Sequence, residues 1–295
     1  MGKYSGILIC SDFDDTLAVR REVSKENREA IKYFCEQGGS FTVISGRRLG
    51  FMKEFAGDIG INAPFAGLNG SYVWDFETGE PLHCTALDRS TIYPCFEYMK
   101  AHEKLSNIIL FSEKSVIKIL KKGGKMTATV HDFRDEPVMS ETLDDITVSE
   151  DATDSNSTLL KEFLKDTIYK FVIGIPVNED DKDYLVPEKK ILTDLTGGKL
   201  AASRAWPYAI EFQSVDATKG KAVSFIKEYL GARISIGIGN YENDLTMVEE
   251  ADVGVAVANS CKELLDAADV IVKDCNEHSL KDLIERLDDI IGAGI

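Results

Sequence analysis

Ile7-Leu8-Ile9-Cys10 is a short, unbroken apolar run that stops abruptly at Asp12, Asp14 and Asp15. Consecutive apolar positions without alternation are what a parallel strand buried on both faces requires. Further on, Ala30, Ile31, Phe34 and Cys35 share one face of a helix, with Ser24 as its N-cap and Gly38-Gly39 as a left-handed stop. Phe41-Thr42-Val43-Ile44 then makes a second strand. A strand, helix and strand in this order indicate a parallel sheet covered by helices.

The same alternation returns near the C-terminus. Residues 221–230 read as a helix and 234–238 as a buried strand, followed by short strands at 253–257 and 270–272. Helical patterns at 245–250, 261–267 and 280–291 separate and close them. The two ends of the chain therefore read as halves of one α/β domain, a doubly wound, mostly parallel sheet. The middle has a different grammar. A hairpin turning near Glu77-Thr78-Gly79-Glu80 leads into helices at 91–104 and 158–167 and strands at 108–111, 116–120, 171–175 and 210–212. Residues 144–157 are acidic and polar enough to be a loop. Residues 85–213 are thus expected to form an inserted α+β domain, leaving 1–84 and 214–295 to the core.

At 295 residues, two domains are the natural prior. The formal charge of -16 argues against nucleic acid as a partner, because a polyphosphate backbone is repelled. Small phosphorylated molecules remain open, since a lysine and a bound cation can reverse the potential inside one cleft. The six cysteines are scattered without a Cys-x-x-Cys pair and are expected to be reduced. There is no secretory pattern at the N-terminus and no apolar stretch long enough to cross a bilayer, so a cytoplasmic protein is expected, without a membrane partner.

Asp12 and Asp14 stand two positions apart just past a buried strand, so extended backbone aims both carboxylates the same way. One such acid can attack phosphorus while the other protonates the leaving oxygen and later activates water, with Mg²⁺ offsetting their repulsion. Read alone, the pair is also compatible with a solvated acidic turn. Ser45, followed by Gly46, ends the second strand and could hold phosphate oxygens, or simply cap the next helix. Lys219 opens a helix, where the dipole disfavours a cation and a phosphate partner would explain it. Gly239-Asn240-Tyr241-Glu242-Asn243-Asp244 follows a buried strand and offers oxygen ligands to a hard cation. The basic stretch Lys118, Lys121, Lys122 and Lys125 reads as a solvated strand edge, and Arg204 to Tyr208 as a packed loop.

In their order, Asp12-Phe13-Asp14-Asp15-Thr16-Leu17, Ile44-Ser45-Gly46-Arg47, Asn69-Gly70, Lys219-Gly220 and the 239–244 segment resemble the haloacid dehalogenase-like superfamily. Within it, the resemblance is to Cof-type phosphatases with a large α/β (type IIB) cap. It implies a Rossmann-like core, a cap over 85–213, and a Mg²⁺-dependent phosphatase acting on a small phosphorylated metabolite, with a sugar phosphate as the first guess. It further implies that Asp12 forms an aspartyl-phosphate and that Asp14 is the general acid and base. Ser45, Gly46, Lys219 and Asn243 would bind the phosphoryl group. Mg²⁺ would be held by Asp12, the Asp14 carbonyl and Asn240, with Asp244 close by, directly or through water. Two positions depart from the family pattern. Asn240 stands where a metal-binding Asp is usual, and Asp15 where glycine is common. The nearest alternative is a phosphomutase or phosphotransferase on the same core; a receiver-like or catalytically weakened phosphate-binding protein is a further one.

Overall fold

The structure is a computed structural model that describes residues 2–112, 114–132, 135–176 and 184–292. The chain divides into two compact units, Met1–Cys84 with Ala217–Ile295, and Thr85–Asp216.

The first unit is built on five strands: β1 (Ile7–Ser11), β2 (Ser40–Val43), β3 (Ile234–Gly239), β4 (Val253–Val257) and β5 (Val270–Val272). Their order is β5-β4-β3-β1-β2, and every pair is parallel. All residues of β1, β3 and β4 are buried, because helices cover both faces. Helix α1 (Lys25–Glu36) starts where Ser24 Oγ accepts the Asn27 N–H at 3.2 Å. With α4 (Ser279–Glu285), it packs Ile31, Phe34, Leu280 and Leu283 against Ile7 and Ile9. On the opposite face α2 (Lys219–Leu230) and α3 (Leu245–Glu250) bring Ala222, Val223, Ile226 and Met247 onto Leu8 and Cys10. The sheet's two-residue period thus feeds two separate cores.

Chain direction decides where chemistry can gather. From β1 the chain steps to β2 on one side, and later returns through β3 on the other. The strand order reverses beside β1, and in doubly wound sheets such a switch point opens a crevice at the carboxyl ends. Asp12, Ser45 and Asn240 all lie at those ends. The expected hairpin is present as strands Tyr72–Asp75 and Glu80–Cys84, in a small antiparallel sheet with Phe65–Gly67.

The second unit is a seven-stranded antiparallel sheet. Its order is Pro137–Leu143, Lys125–His131, Val116–Lys122, Asn107–Ser112, Ile168–Gly174, Ala209–Ser214 and Leu200–Trp206. Helices Ile92–Ala101, Thr158–Phe163 and Leu185–Leu195 contribute to its apolar core.

Several expectations are corrected here. The lysines of Val116–Lys122 do not lie on an edge, because that strand is paired on both sides. Lys121 Nζ instead donates to the carbonyls of Met99, Lys100 and His102, orphaned at the end of Ile92–Ala101. Arg204 belongs to a strand rather than a loop. The helix expected over 280–291 is broken at Arg286 into Ser279–Glu285 and Leu287–Gly292. All six cysteines are unbridged. No helix among the described residues is long and apolar enough to cross a membrane.

Candidate functional site

At the end of β1 the backbone stays paired for one more residue, with the Asp12 N–H donating to the Ile238 carbonyl at 2.9 Å. This fixes Asp12 in line with the sheet. Phe13 turns the other way and is fully buried against Phe51 and Phe55. The Asp12 carboxylate meets Lys219, whose Nζ lies 2.6 Å from Asp12 Oδ1 and 2.5 Å from Asp244 Oδ1. Lys219 and Asp244 are wholly buried, and the Asp12 side chain is only 8% exposed. Asp12 Oδ2 accepts no hydrogen bond among the described residues.

Lys219 reaches this position because two glycines permit close approach. Thr218 caps α2 by accepting the Lys221 N–H, and Gly220 follows Lys219. A Cβ on Gly220 would stand 2.3 Å from the Thr246 carbonyl oxygen of α3. Gly239 allows the Asp244 side chain to fold back, since its own Cβ would lie 2.4 Å from that of Asp244. Asp244 Oδ2 then accepts the N–H groups of Asn240 and Tyr241 at 2.9 and 3.0 Å. Gly220→Ala is therefore expected to force α2 from α3 and to lower stability by roughly 1–3 kcal/mol, the usual cost of overpacking. Urea unfolding measures this, and an unchanged midpoint would show that the helices separate at no cost.

One cation faces two carboxylates here. Burial and the charge of Asp244 push the Asp12 carboxyl up to about 7, against the pull of Lys219. Burial alone would depress the Lys219 ammonium, but the two carboxylates outweigh it and hold its pKa above the ordinary value. The excess negative charge suits a second, external cation.

Asp14 has a different partner. Arg47 binds it bidentately, Nε to Oδ2 at 2.8 Å and Nη2 to Oδ1 at 2.7 Å. The same guanidinium lies 4.7 Å from the Phe51 ring centroid. Arg47 belongs to the Ser45-Gly46 segment, but sequence reasoning gave it no role; its place directly after that turn is the signal that could have found it. Ser45 is buried, and its Oγ accepts the Arg47 N–H at 3.1 Å. It is not a helix cap, because the next helix starts only at Leu49, after Arg48. Asp15 sits at φ 55, a left-handed position that glycine occupies without strain and Asp tolerates better than most residues. Asn243 lies in the short 3-10 turn Glu242–Asp244 and is half-buried.

The residues expected to hold Mg²⁺ can be compared with what a hard cation needs, which is oxygen donors. Asp12 Oδ2 and the Asn240 side chain, which makes no hydrogen bond among the described residues, fit that need. The sequence also places Asp244 near the ion. In the structure both its oxygens are engaged, by Lys219 and by the loop N–H groups. Asp244 is thus tied to Lys219 and to the start of its own loop. Among the described residues, no three His, Cys, Asp or Glu side chains converge on one point. An amide, a backbone carbonyl and a single carboxylate would have to share the task.

Residues 9–284 match the family model of haloacid dehalogenase-like hydrolases. Over 268 residues the chain is 24% identical to the 5-amino-6-(5-phospho-D-ribitylamino)uracil phosphatase YcsE of Bacillus subtilis, covering 90% of this chain and 88% of that one. It is 21% identical over 289 residues to the Bacillus subtilis phosphatase YwpJ, covering 95% and 99%. Among solved structures, the HAD subclass IIB sugar phosphatase BT4131 superposes with a TM-score of 0.72 at 16% identity, over 96% of this chain and 99% of that one. A haloacid dehalogenase-like hydrolase from Bacteroides thetaiotaomicron gives 0.67 at 23% identity, over 97% and 100%. With a doubly wound core that carries Asp12, Ser45 and Asn240 at its carboxyl ends and a second, antiparallel unit inserted in the sequence after Cys84, the chain belongs to the haloacid dehalogenase-like hydrolases.

Proposed function

We propose that this hydrolase is a phosphatase of small phosphorylated metabolites, sugar phosphates first among them, and that Asp12 is its nucleophile. The observation that carries this reading is the Asp12 carboxylate, fixed through Oδ1 by a buried lysine while Oδ2 accepts no hydrogen bond among the described residues. A carboxylate held in one orientation is prepared for in-line attack.

One oxygen of the Asp12 carboxylate bonds to phosphorus as the ester P–O bond breaks, the other remaining for the cation, and Asp14 gives its proton to the departing oxygen. Asp14 then takes a proton from water, which attacks the aspartyl-phosphate. Inorganic phosphate leaves and the Asp12 carboxylate is restored. Ser45 Oγ, the Gly46 N–H, Lys219 and Asn243 bind the phosphoryl oxygens, so most of the catalysis is positioning and charge neutralisation. Both Asp14 oxygens are engaged by Arg47 in the structure, so the two proton transfers require Asp14 to turn from Arg47 toward the phosphoryl group. A Mg²⁺ ion held by Asp12, the Asp14 carbonyl and Asn240 would add positive charge against the phosphoryl oxygens. The inserted unit, residues 85–216, is assigned the choice of leaving group.

A screen of phosphorylated metabolites and phenyl phosphate with Mg²⁺ tests the reading. Release of inorganic phosphate supports it, an isomeric sugar phosphate would indicate a mutase, and inactivity on every compound would sink it. The neutral Asn240 makes a further expectation. Because its amide brings no charge to the cation, Asn240→Asp should lower half-saturating Mg²⁺ by roughly tenfold. A Mg²⁺ titration of initial rates that leaves this value unchanged would remove Asn240 from the ligand set.

A further inference from the structure

Residues 12–18 form the loop after β1 that carries Asp12 and Asp14, and its backbone carbonyls are held in an unusual way. Some of the bonds are local. The Asp12 carbonyl accepts Ser11 Oγ at 2.7 Å, that of Phe13 accepts the Ala18 N–H at 2.8 Å, and that of Ala18 accepts the Asp15 N–H at 2.8 Å. Three consecutive carbonyls between them meet side chains from distant segments instead. Asp15 accepts Asn259 Nδ2 at 2.9 Å, Thr16 accepts Ser279 Oγ at 2.7 Å, and Leu17 accepts Asn27 Nδ2 at 3.3 Å.

Each donor is itself held by one short stretch, residues 275–281. Asn259 Oδ1 accepts the Cys275 N–H at 2.9 Å, Asn27 Oδ1 accepts the Lys281 N–H at 3.1 Å, and Ser279 opens α4 with its side chain wholly buried. A merely solvated loop would need none of these partners, because water satisfies exposed carbonyls. Asp15 explains why the loop has them. Its φ of 55 is a left-handed conformation, and a residue other than glycine keeps it only where the surroundings over-determine the backbone. The Asp14 carbonyl, next to these three, accepts no hydrogen bond among the described residues.

We propose that Asn27, Asn259 and Ser279 are positioning residues for Asp14. They fix the chain on its C-terminal side, so that the Asp14 carboxyl turns from Arg47 about a rigid backbone and meets the departing oxygen in one place. The inference rests on the phosphatase reading and assigns part of that reaction's precision to three side chains that need not touch the substrate. Asp12 is anchored separately, by Lys219 and by the Ile238 carbonyl, so loosening the loop should spare the nucleophile and impair the proton donor.

That difference supplies the test. 4-Nitrophenolate departs without a proton, whereas phenolate from the similarly shaped phenyl phosphate benefits from one. Values of kcat/KM for both esters are compared in wild type, Asn259→Ala and Ser279→Ala, with thermal melting followed by circular dichroism. Asn259 is exposed, so its variant is expected to fold even if Ser279→Ala does not. Each folded variant should lose roughly 10- to 30-fold on phenyl phosphate, mainly in kcat, and about threefold or less on 4-nitrophenyl phosphate. A general structural defect would lower both alike. An equal fall on the two esters, a larger fall on the nitrophenyl ester, or no fall on either would overturn the inference while leaving the phosphatase reading intact. If wild type hydrolyses neither ester, the phosphatase reading fails and takes the inference with it.

Discussion

Asp12→Asn is expected to abolish phosphate release, by about 10⁴-fold or more, with the fold intact. Loss of a nucleophile removes the covalent route outright, and the binding groups that remain supply only a small residual rate. The fold should survive because the side chain keeps its shape and Lys219 retains Asp244, 2.5 Å away. Initial rates on phenyl phosphate, read beside circular dichroism, test both halves. A folded variant within tenfold of wild type would exclude Asp12 as the nucleophile. Asp14→Asn forms the natural comparison, since it leaves the proposed nucleophile in place and removes the proposed proton carrier.

Lys219→Met carries the largest expected cost in stability. The substitution keeps most of the side-chain volume but leaves the carboxylates of Asp12 and Asp244 buried without their cation. Breaking a buried pair in this way typically costs about 3–5 kcal/mol, because the desolvated charge that remains has nothing to offset it. Urea unfolding of Lys219→Met should show this loss, together with loss of activity. Adding Asp12→Asn and Asp244→Asn to the same chain should recover part of the stability, as it removes the uncompensated charge. If the triple variant is no more stable than Lys219→Met, packing rather than charge governs the position.

The inserted unit shows where local sequence reading loses its hold. Strands 125–131, 137–143 and 200–206, and the helix Leu185–Leu195, escape the sequence pattern. The first two carry polar residues on both sides of a thin apolar alternation, and Pro137–Leu143 is an edge strand that is largely exposed. Such strands exist because a neighbour supplies the other half of their hydrogen bonds, and no single segment records its neighbour. The same reason explains the misjudged lysines, since being on an edge is a property of the whole sheet.

The core was legible because its code is local. Unbroken apolar runs require burial on both faces, helical spacing and caps mark the covering layers, and their alternation fixes a parallel sheet. The sequence pattern thus places Asp12, Ser45, Lys219 and Asn243 at strand ends or helix starts. Partnership was the part that only tertiary structure decided. Lys219 and Asp12 are 207 positions apart and meet at 2.6 Å because α2 and α3 close over Gly220. Asp14 turns to Arg47, and Asp244 is taken up by Lys219 and two backbone N–H groups. Electrostatic pairing depends on distance and burial, and folding sets both by bringing together segments whose sequences do not encode one another.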